Sequence, residues 1–290
     1  MILMDALQQP AMLVPTALVL GLLVGSFLNV VILRVPAMLE RDWQQQAREI
    51  LGQPPASESP ARFDLIHPGS RCPGCHRPIR AWENIPVISW LALRGRCRGC
   101  GQRISARYPL VELGTGLLSA AVAWYFGWGP ELAGALILTW TLIALSGIDI
   151  DHQLLPDNIT LPVLWLGLGV SLVGVFTGLQ DAVIGAMAGY LSLWLVFHAF
   201  RLVTGKEGMG YGDFKLLALL GAWLGWQSLP VIILLSSLVG AVVGIAMIAL
   251  LGRDRQLPIP FGPYLAAAGW LTLLWRDEII AGYLHWSGLG

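Results

Sequence analysis

Residues 208–215 read GMGYGDFK, and this stretch delivers a single carboxylate, Asp213, to the start of a long apolar run. Glycines at alternate positions allow the backbone to bend sharply just before the carboxylate. An ionisable side chain set against a membrane-length apolar segment is costly to desolvate, so such a residue is a candidate functional group that needs a partner. The partner that the sequence offers is Asp149, which ends another apolar segment.

The composition indicates an integral membrane protein with several spans. Of the 290 residues, 56% are hydrophobic and 12% are charged, whereas about a quarter of the residues in a soluble domain are charged. The 216–252 stretch can hold two spans of roughly 20 residues, with a break at residues 225–228. We therefore expect an all-α polytopic membrane protein with about eight transmembrane helices. The uncharged apolar stretches are 11–33, 113–130, 132–148, 158–180, 182–200, 216–252 and 256–275.

The distribution of basic residues predicts the orientation. Of the 18 Lys and Arg residues, 12 lie between Arg34 and Arg107, so this segment is expected to be cytoplasmic. With eight alternating spans, Arg276 alone falls on the opposite side, and the connections 149–157 and 204–214 open to the cytoplasm. The first apolar run is expected to be a true span, because no basic residue precedes it and no small-residue cleavage pattern follows. A formal net charge of zero argues against nucleic acid as a partner.

These patterns divide the chain into three parts. Residues 11–34 form the first transmembrane helix, residues 35–107 form a cytoplasmic loop, and residues 108–280 form a seven-helix membrane core. Within the loop, residues 38–51 have the pattern of an amphipathic helix, which would lie on the membrane surface or pack on the rest of the loop. Residues 54–60 have the composition of a linker.

All four cysteines of the chain lie in two Cys-x-x-Cys pairs, Cys72 with Cys75 and Cys97 with Cys100. Four thiolates in such a pattern can converge on one zinc ion, and a closed four-sulfur shell leaves no open position for substrate. We therefore expect a structural zinc site in the cytoplasmic loop. Disulfides are the alternative, and a reducing cytoplasm disfavours them. Arginines that could offset the negative charge of the thiolates are Arg71, Arg77, Arg80, Arg94, Arg96, Arg98 and Arg103.

An acidic cluster follows the third span. Asp149 closes an apolar helix, where an anion opposes the negative end of the helix dipole and gains nothing locally. This unfavourable position indicates a function for Asp149. Asp151 and His152 are expected to be solvated loop residues, with a substrate contact as the alternative for His152. Asp157 or Asn158 is expected to cap the fourth span.

A further carboxylate, Glu112, lies in the segment 107–112, which reads RYPLVE. Pro109 is typical of a helix start. Glu112 would then fall in the first turn, where it interacts favourably with the helix dipole. A contact with substrate is the alternative role.

The span after Asp213 is short. About 15 residues give roughly 22 Å of helix, whereas the hydrocarbon core is about 30 Å thick. The glycine-rich turn would therefore dip into a protein-lined cavity. If Asp149 met Asp213 there, an ionised carboxylate could activate water while its protonated partner donated to the substrate carbonyl. The alternative is that Asp213 only caps the sixth span. A nucleotide-binding loop is excluded, because no Gly-Lys-Ser/Thr ending follows.

Several short motifs occur in order along the chain and are specific in combination. Together they resemble the bacterial type IV prepilin peptidases, the leader peptidase and N-methyltransferase family, whose Gly-x-Gly-Asp motif is here residues 210–213. The resemblance runs nearly from end to end. Besides the cysteine pairs, the matching segments are 25–31 (GSFLNVV), 83–86 (ENIP), 107–112 (RYPLVE), 149–151 (DID), 155–157 (LPD) and 258–263 (PIPFGP).

The resemblance implies a bifunctional enzyme of the bacterial inner membrane. Such enzymes remove the basic leader of type IV prepilins and type II secretion pseudopilins on the cytoplasmic side, then methylate the new N-terminal amine with S-adenosylmethionine. By motif, the catalytic residues are Asp149 and Asp213, with Asp151 as the rival for the first position. The weak candidates for the S-adenosylmethionine site are Glu40, Asn84 and Arg107. The oligomeric state stays open.

Two other classes of function share some of these features. An ion-coupled transporter also uses paired intramembrane acids, but it should show paired repeats with corresponding helix breaks, and none is found in the sequence. A membrane scaffold that uses its zinc module to recruit assembly proteins would not need either aspartate.

Overall fold

The computed structural model describes residues 8–54, 62–206, 208–251 and 259–287. The predicted linker lies almost entirely outside the described residues, and so do Arg253, Arg255 and Pro258. Within the described residues the regular secondary structure is helical, apart from two isolated β-bridges at Arg71 with Pro78 and Arg96 with Arg103. The expected all-α fold is confirmed. Contacts divide the chain into two compact units, Met1–Trp128 and Gly129–Gly290.

The first unit begins with a helix, α1 (Pro10–Ile50), that contains both the predicted first span and the predicted amphipathic helix. The two predicted elements are parts of one continuous helix. Pro36 lies inside α1 and removes one backbone hydrogen bond. The helix nevertheless continues, because residues 38–50 are mostly Leu, Glu, Arg, Gln and Ala, which favour helix. The unit continues with a 3₁₀ turn (Ala81–Asn84), α2 (Ile88–Ala92) and α3 (Arg107–Phe126).

Small residues bring α1 and α3 into close contact. A Cβ atom added to Gly21 would lie 2.5 Å from Ser119 Oγ, and one added to Gly25 would lie 2.7 Å from the Cα of Glu112. Such small residues let two membrane helices approach closely. The sequence-based division placed residues 108–126 with the membrane core, whereas α3 belongs to the first compact unit together with α1.

The second unit contains the remaining described helices. The expected break at residues 225–228 is confirmed, since Gly225 has a φ of +80° and a 3₁₀ turn follows it. The fourth span is shorter than the expected 158–180, because its helix ends at Ser171. The elements are α4 (Pro130–His152), α5 (Asp157–Ser171), α6 (Leu179–Thr204), α7 (Tyr211–Leu224), the 3₁₀ turn Trp226–Ser228, α8 (Leu229–Leu251) and α9 (Gly262–Ser287).

Five helical segments are long and apolar enough to cross a membrane. The protein is therefore a multi-pass membrane protein, while the count of eight spans stays a prediction. Helices α5 and α7 have only 15 and 14 residues, fewer than the roughly 20 that a full span needs. The five segments are Pro10–Ile50, Arg107–Phe126, Pro130–His152, Leu179–Thr204 and Trp226–Leu250.

Helix α7 lies at the centre of the second unit. Its residues from Asp213 to Leu224 are buried with one exception, Lys215. Glycines make this possible, because α6 and α7 touch backbone to backbone. A Cβ on Gly221 would lie 2.2 Å from the carbonyl oxygen of Gly185, and a Cβ on Gly189 would lie 2.6 Å from that of Leu217. The short helix that carries Asp213 is therefore fixed against a full-length neighbour.

We expect Gly221→Ala to destabilise the protein by about 1–3 kcal/mol, because backbone atoms cannot move aside as a flexible side chain could. The matched control is Gly169→Ala in α5, where an added Cβ meets nothing within 4 Å and the helix gains about 0.5–1 kcal/mol from the loss of glycine. Thermal unfolding of the purified protein in detergent measures both. Equal melting temperatures for the two variants would contradict the close contact of α6 with α7.

Candidate active site and metal centre

Asp149 lies in the last turn of α4 with only 5% of its surface exposed. Its Oδ2 accepts a hydrogen bond of 2.9 Å from the backbone N–H of Gly262, at the start of α9. A Cβ on Gly262 would lie 2.7 Å from the same oxygen. Glycine at this position is therefore what lets the backbone reach the carboxylate and fix its orientation.

Asp213 is the third residue of α7 and is 7% exposed. The residue that caps α7 is Gly210, and no side chain makes a capping hydrogen bond there. Asp213 is therefore not the N-cap residue of α7, although as the acidic residue of the first turn it also interacts favourably with the helix dipole. The glycine before it has a steric role, since a Cβ on Gly212 would lie 2.8 Å from the Cβ of Leu155.

Leu155 packs between the helix ends that carry the two aspartates. This buried side chain follows α4 by three residues and packs against Gly212 on one side. On the other side, its Cδ2 lies 3.2 Å from the position of a Cβ on Gly262. The end of α4, the start of α7 and the start of α9 thus meet around one leucine, which brings together the helix ends that carry Asp149 and Asp213.

The other acidic residues of this region have different positions. Asp151 and His152 are exposed at the end of α4, as expected. Asp157 does not cap α5; it is the first residue of the helix, after Pro156. Both of its carboxylate oxygens lie 2.7 Å from Nζ of Lys215. This ion pair ties the start of α5 to the first turns of α7, two residues beyond Asp213.

The four cysteines form a metal-binding geometry in the first unit. Their sulfur atoms lie within 4.8 Å of one another, and all four cysteines are free of disulfides. The Cys72–Cys100 and Cys75–Cys97 sulfur distances are 3.7 and 3.9 Å. A tetrahedral ion with metal–sulfur bonds of about 2.3 Å requires sulfurs roughly 3.8 Å apart. The expected convergence of the thiols is therefore present.

The two Cys-x-x-Cys pairs have the same local structure. In each, the N–H four residues after the first cysteine donates 2.9 Å to that cysteine's carbonyl, from His76 to Cys72 and from Gly101 to Cys97. Both donors have positive φ, 55° and 72°. These repeated turns bring the sulfurs together, while the 3₁₀ turn and α2 occupy the long gap between the pairs.

The electrostatics of the cluster favour a bound cation. Backbone N–H groups of Cys75 and Gly74 lower the pKa of the Cys72 thiol to about 6. In Cys100 the N–H of Gln102 acts in the same direction, but burial and the neighbouring sulfurs outweigh it and raise the pKa to about 11. Four thiolates so close together therefore need a positive ion to remain ionised together.

Glu112 differs from expectation, because it is not in the first turn of α3; the helix starts at Arg107 rather than at Pro109. It is buried, and its Oε2 accepts a 2.7 Å hydrogen bond from the N–H of Val87. Arg77 forms an ion pair with Glu83, which lowers the pKa of Glu83. Glu83, and after it Cys97 and Cys75, raise the pKa of Arg77, as expected for an arginine that offsets the thiolates.

The candidates for the S-adenosylmethionine site do not converge. Glu40 is exposed on α1, Asn84 is exposed at the end of the 3₁₀ turn, and Arg107 is half-buried at the start of α3. A cavity of about 460 Å³ in the first unit is lined by Asn84 but not by Glu40 or Arg107. Residues that sequence reasoning gave no role are Gly262, Leu155 and Lys215; only the 258–263 and 155–157 motifs could have indicated the first two.

The fold and the site define a multi-pass membrane protein with a buried pair of carboxyl groups and a four-cysteine metal-binding geometry. The model of the bacterial peptidase A24 N-terminal domain matches residues 19–126, and that of the type IV leader peptidase family matches residues 136–245. The chain belongs to the type IV leader peptidase family.

Related proteins match along nearly the whole chain. The relative from Stutzerimonas stutzeri is 61% identical over 97% of this chain and 96% of its own length. The relative from Pseudomonas aeruginosa is 58% identical over 96% of both chains, and that from Neisseria gonorrhoeae is 53% identical over 94% of both. All three are described as prepilin leader peptidase/N-methyltransferases. No solved structure matches the chain significantly.

Purified protein is expected to carry about one metal ion per chain, because four convergent thiolates complete a tetrahedral shell. Replacing all four cysteines by Ser should remove it, since hydroxyl groups bind such ions far more weakly than thiolates do. Elemental analysis by mass spectrometry measures the content. A variant with the same metal content as the unmodified protein would show that the ion binds elsewhere.

Proposed function

We propose that this protein is a bifunctional membrane enzyme that cleaves the leader peptide of type IV prepilins and then N-methylates the new N-terminal residue. The observation that supports cleavage best is the pair of buried aspartates, which come from separate helices and meet around Leu155. Membership of the type IV leader peptidase family supports the same conclusion. The names of the relatives support the second, methyl-transferring activity.

Asp149 and Asp213 form the catalytic pair. Two carboxyl groups held close together in a site of low dielectric share one proton, because both cannot readily ionise. The ionised partner takes a proton from water, whose oxygen attacks the scissile carbonyl carbon, while the protonated partner donates to the carbonyl oxygen. When the C–N bond breaks, the leaving nitrogen takes up a proton from the pair. The pair acts as a unit, so neither residue is assigned as acid or base.

The backbone around the pair supports this chemistry. The N–H of Gly262 holds one oxygen of Asp149, which leaves the other oxygen of that carboxylate to act on water or substrate. The pair is almost fully buried, so the electrostatic interactions with the reacting atoms are stronger than they would be in water. We place the cleavage site in the membrane core of residues 108–280, at its cytoplasmic face.

Methyl transfer requires S-adenosylmethionine as the methyl donor. The donor would supply a methyl group to the lone pair of the neutral N-terminal amine and leave as a neutral thioether, and the methylated ammonium would then lose a proton. Such a displacement depends mainly on alignment of the two reactants. Glu40, Asn84 and Arg107 remain candidates for binding the donor.

The metal held by the four cysteines is zinc, in a structural role. A complete shell of four thiolates suits this ion and leaves no position for substrate. The zinc module and the active site face the cytoplasm, and the protein resides in the bacterial inner membrane. The substrates include type II secretion pseudopilins besides type IV prepilins, and their apolar N-terminal helices would reach the site through the bilayer.

Asp149→Asn and Asp213→Asn are each expected to lower the rate of leader cleavage by about 10²–10⁴-fold, because an amide can neither take up nor donate the shared proton. The measurement is the intact mass of a purified prepilin after incubation with each variant. The matched control is Asp151→Asn, an exposed acid two residues from Asp149, which should cleave at the unmodified rate.

If either Asp149→Asn or Asp213→Asn trimmed the leader at the unmodified rate, the catalytic pair would be wrongly assigned. If both did so, the scaffold function would be favoured, because a scaffold does not need the aspartates. Adding S-adenosylmethionine to the same assay should shift the product by the mass of one methylene group. The absence of this shift would limit the enzyme to peptidase activity.

Gly262→Ala is expected to lower the turnover rate for leader cleavage at least about tenfold, because its methyl group would displace the Asp149 carboxylate from its position. The KM for prepilin should change little, since the substrate helix need not contact this position. The control is Gly282→Ala in the same helix, where an added Cβ meets nothing within 4 Å. Normal turnover in Gly262→Ala would mean that the Gly262 N–H has no part in positioning Asp149.

A further inference from the structure

The cavity in the first unit is formed by residues 26–34 of α1 and by residues of the 70–112 segment. It has a volume of about 460 Å³, within the roughly 300–1,000 Å³ typical of small-molecule sites. Its walls include residues from the motifs 25–31, 83–86 and 107–112. The catalytic pair accounts for none of these motifs, although they are among the segments singled out in the sequence.

Three buried polar side chains line this cavity, and one of them, Ser89, accepts the N–H of Ile85 and donates to the carbonyl of Trp82. Asn29 is 6% exposed and Glu112 is 8% exposed. The amide nitrogen of Asn29 donates to the carbonyls of Gly25 and Tyr108, at 3.3 and 3.1 Å, so its Oδ1 remains as an acceptor. Glu112 uses Oε2 to accept the N–H of Val87, so Oε1 remains as a second acceptor. These two acceptors favour a ligand that donates hydrogen bonds, while the arginines of the lining outnumber its two glutamates and also favour an acidic group on the ligand.

The wall opposite α1 and α3 is held in a strained conformation. Val87 has a φ of +59°, which is unusual for a β-branched residue. The hydrogen bond from its N–H to Glu112 holds this conformation. Strained residues that persist in a fold are often found next to ligands. Glu112 thus both shapes the wall and offers a negative charge to the interior of the cavity.

The remaining walls supply an apolar surface and a positively charged edge. Trp90, Ile85 and Leu93 provide aromatic and aliphatic contacts, and Trp90 is oriented by a 3.2 Å hydrogen bond from its indole N–H to the carbonyl of Ile104. Arg71 and Arg103 also line the cavity. Both are exposed, and they flank the two cysteine pairs, so the metal module fixes their position.

We propose that this cavity binds S-adenosylmethionine, the methyl donor of the proposed function, on which this inference rests. The buried acceptors Asn29 and Glu112 suit the ribose hydroxyls and the positive charges of the donor, as carboxylates commonly accept hydrogen bonds from ribose. The apolar wall around Trp90 suits the flat adenine ring. Arg71 and Arg103 suit the α-carboxylate of the methionine part.

This assignment distinguishes between the three earlier candidates for the S-adenosylmethionine site. Asn84 lines the cavity, whereas Glu40 and Arg107 do not. Glu112, first expected to serve the helix dipole, becomes the principal polar contact. The four cysteines gain an indirect role, because Cys72 and Cys97 form part of the cavity wall. Loss of the metal would therefore disturb the binding of S-adenosylmethionine, whereas the two aspartate side chains would stay the same.

The direct test is photolabelling of the unmodified full-length protein with 8-azido-S-adenosylmethionine, followed by peptide mapping. Labelled residues are expected within 26–34, 70–79, 83–93 or 97–112, and an excess of S-adenosylmethionine should prevent the labelling. Labelling that competes with S-adenosylmethionine but lies only in other segments, such as 38–50 or the second unit, would overturn the assignment. Because this experiment uses no variant, it does not depend on whether a substitution folds.

Binding measurements on variants provide the second test. Glu112→Gln keeps an acceptor for the Val87 N–H but loses the charge, and should raise the Kd for S-adenosylmethionine about ten- to a hundredfold in equilibrium dialysis. Val30→Trp places an indole in the cavity and should abolish binding. The matched controls are Glu49→Gln and Val19→Trp, which change exposed residues of the same helix α1 outside the cavity and should bind as the unmodified protein does.

The outcomes of these tests distinguish a failure of the cavity assignment from a failure of the proposed function. If Glu112→Gln and Val30→Trp bind S-adenosylmethionine normally while the unmodified protein methylates its product, the cavity is not the donor site but the proposed function stands. If the unmodified protein neither binds S-adenosylmethionine nor methylates cleaved prepilin, both the cavity assignment and the methyltransferase half of the proposed function fall. Leader cleavage by the same sample shows that it is folded.

Discussion

The close contact between α6 and α7 is the constraint on which the position of Asp213 depends. Helix α7 has only 14 residues and cannot anchor itself in a bilayer by length. It is held instead by backbone contact at Gly185 and Gly221, where dispersion contacts replace the hydrophobic effect that lipid does not supply. The position of Asp213 is therefore set by the packing of a buried helix within the protein.

Glycine has a second use at the candidate site, where it makes room for other groups. Gly212 lets Leu155 pack against the start of α7, and Gly262 lets a backbone N–H reach Asp149. Both contacts would be lost to a side chain as small as a methyl group. The helix ends that carry the two aspartates are thus brought together by steric fit of the backbone, with one leucine between the segments.

The metal module and the cavity are the corresponding features of the first unit. A loop with few buried apolar residues gains stability when thiolates bind an ion, because the binding free energy becomes folding free energy. Once fixed, this loop presents its arginines and the strained Val87 to the groups on α1 and α3. The module thereby forms one wall of the cavity. Its four thiolates leave no open coordination position for a substrate.

The sequence by itself determined the membrane character, the all-α fold, the helix break at residues 225–228 and the grouping of the cysteines, because apolar run length, glycine and Cys-x-x-Cys spacing act locally. It singled out Asp149 and Asp213 through their unfavourable positions. Only the tertiary structure decided that Gly262 reaches Asp149, that Lys215 pairs with Asp157, and that Glu112 is buried against Val87. Each of these contacts joins residues more than 20 positions apart, so it depends on helix packing that no local pattern encodes.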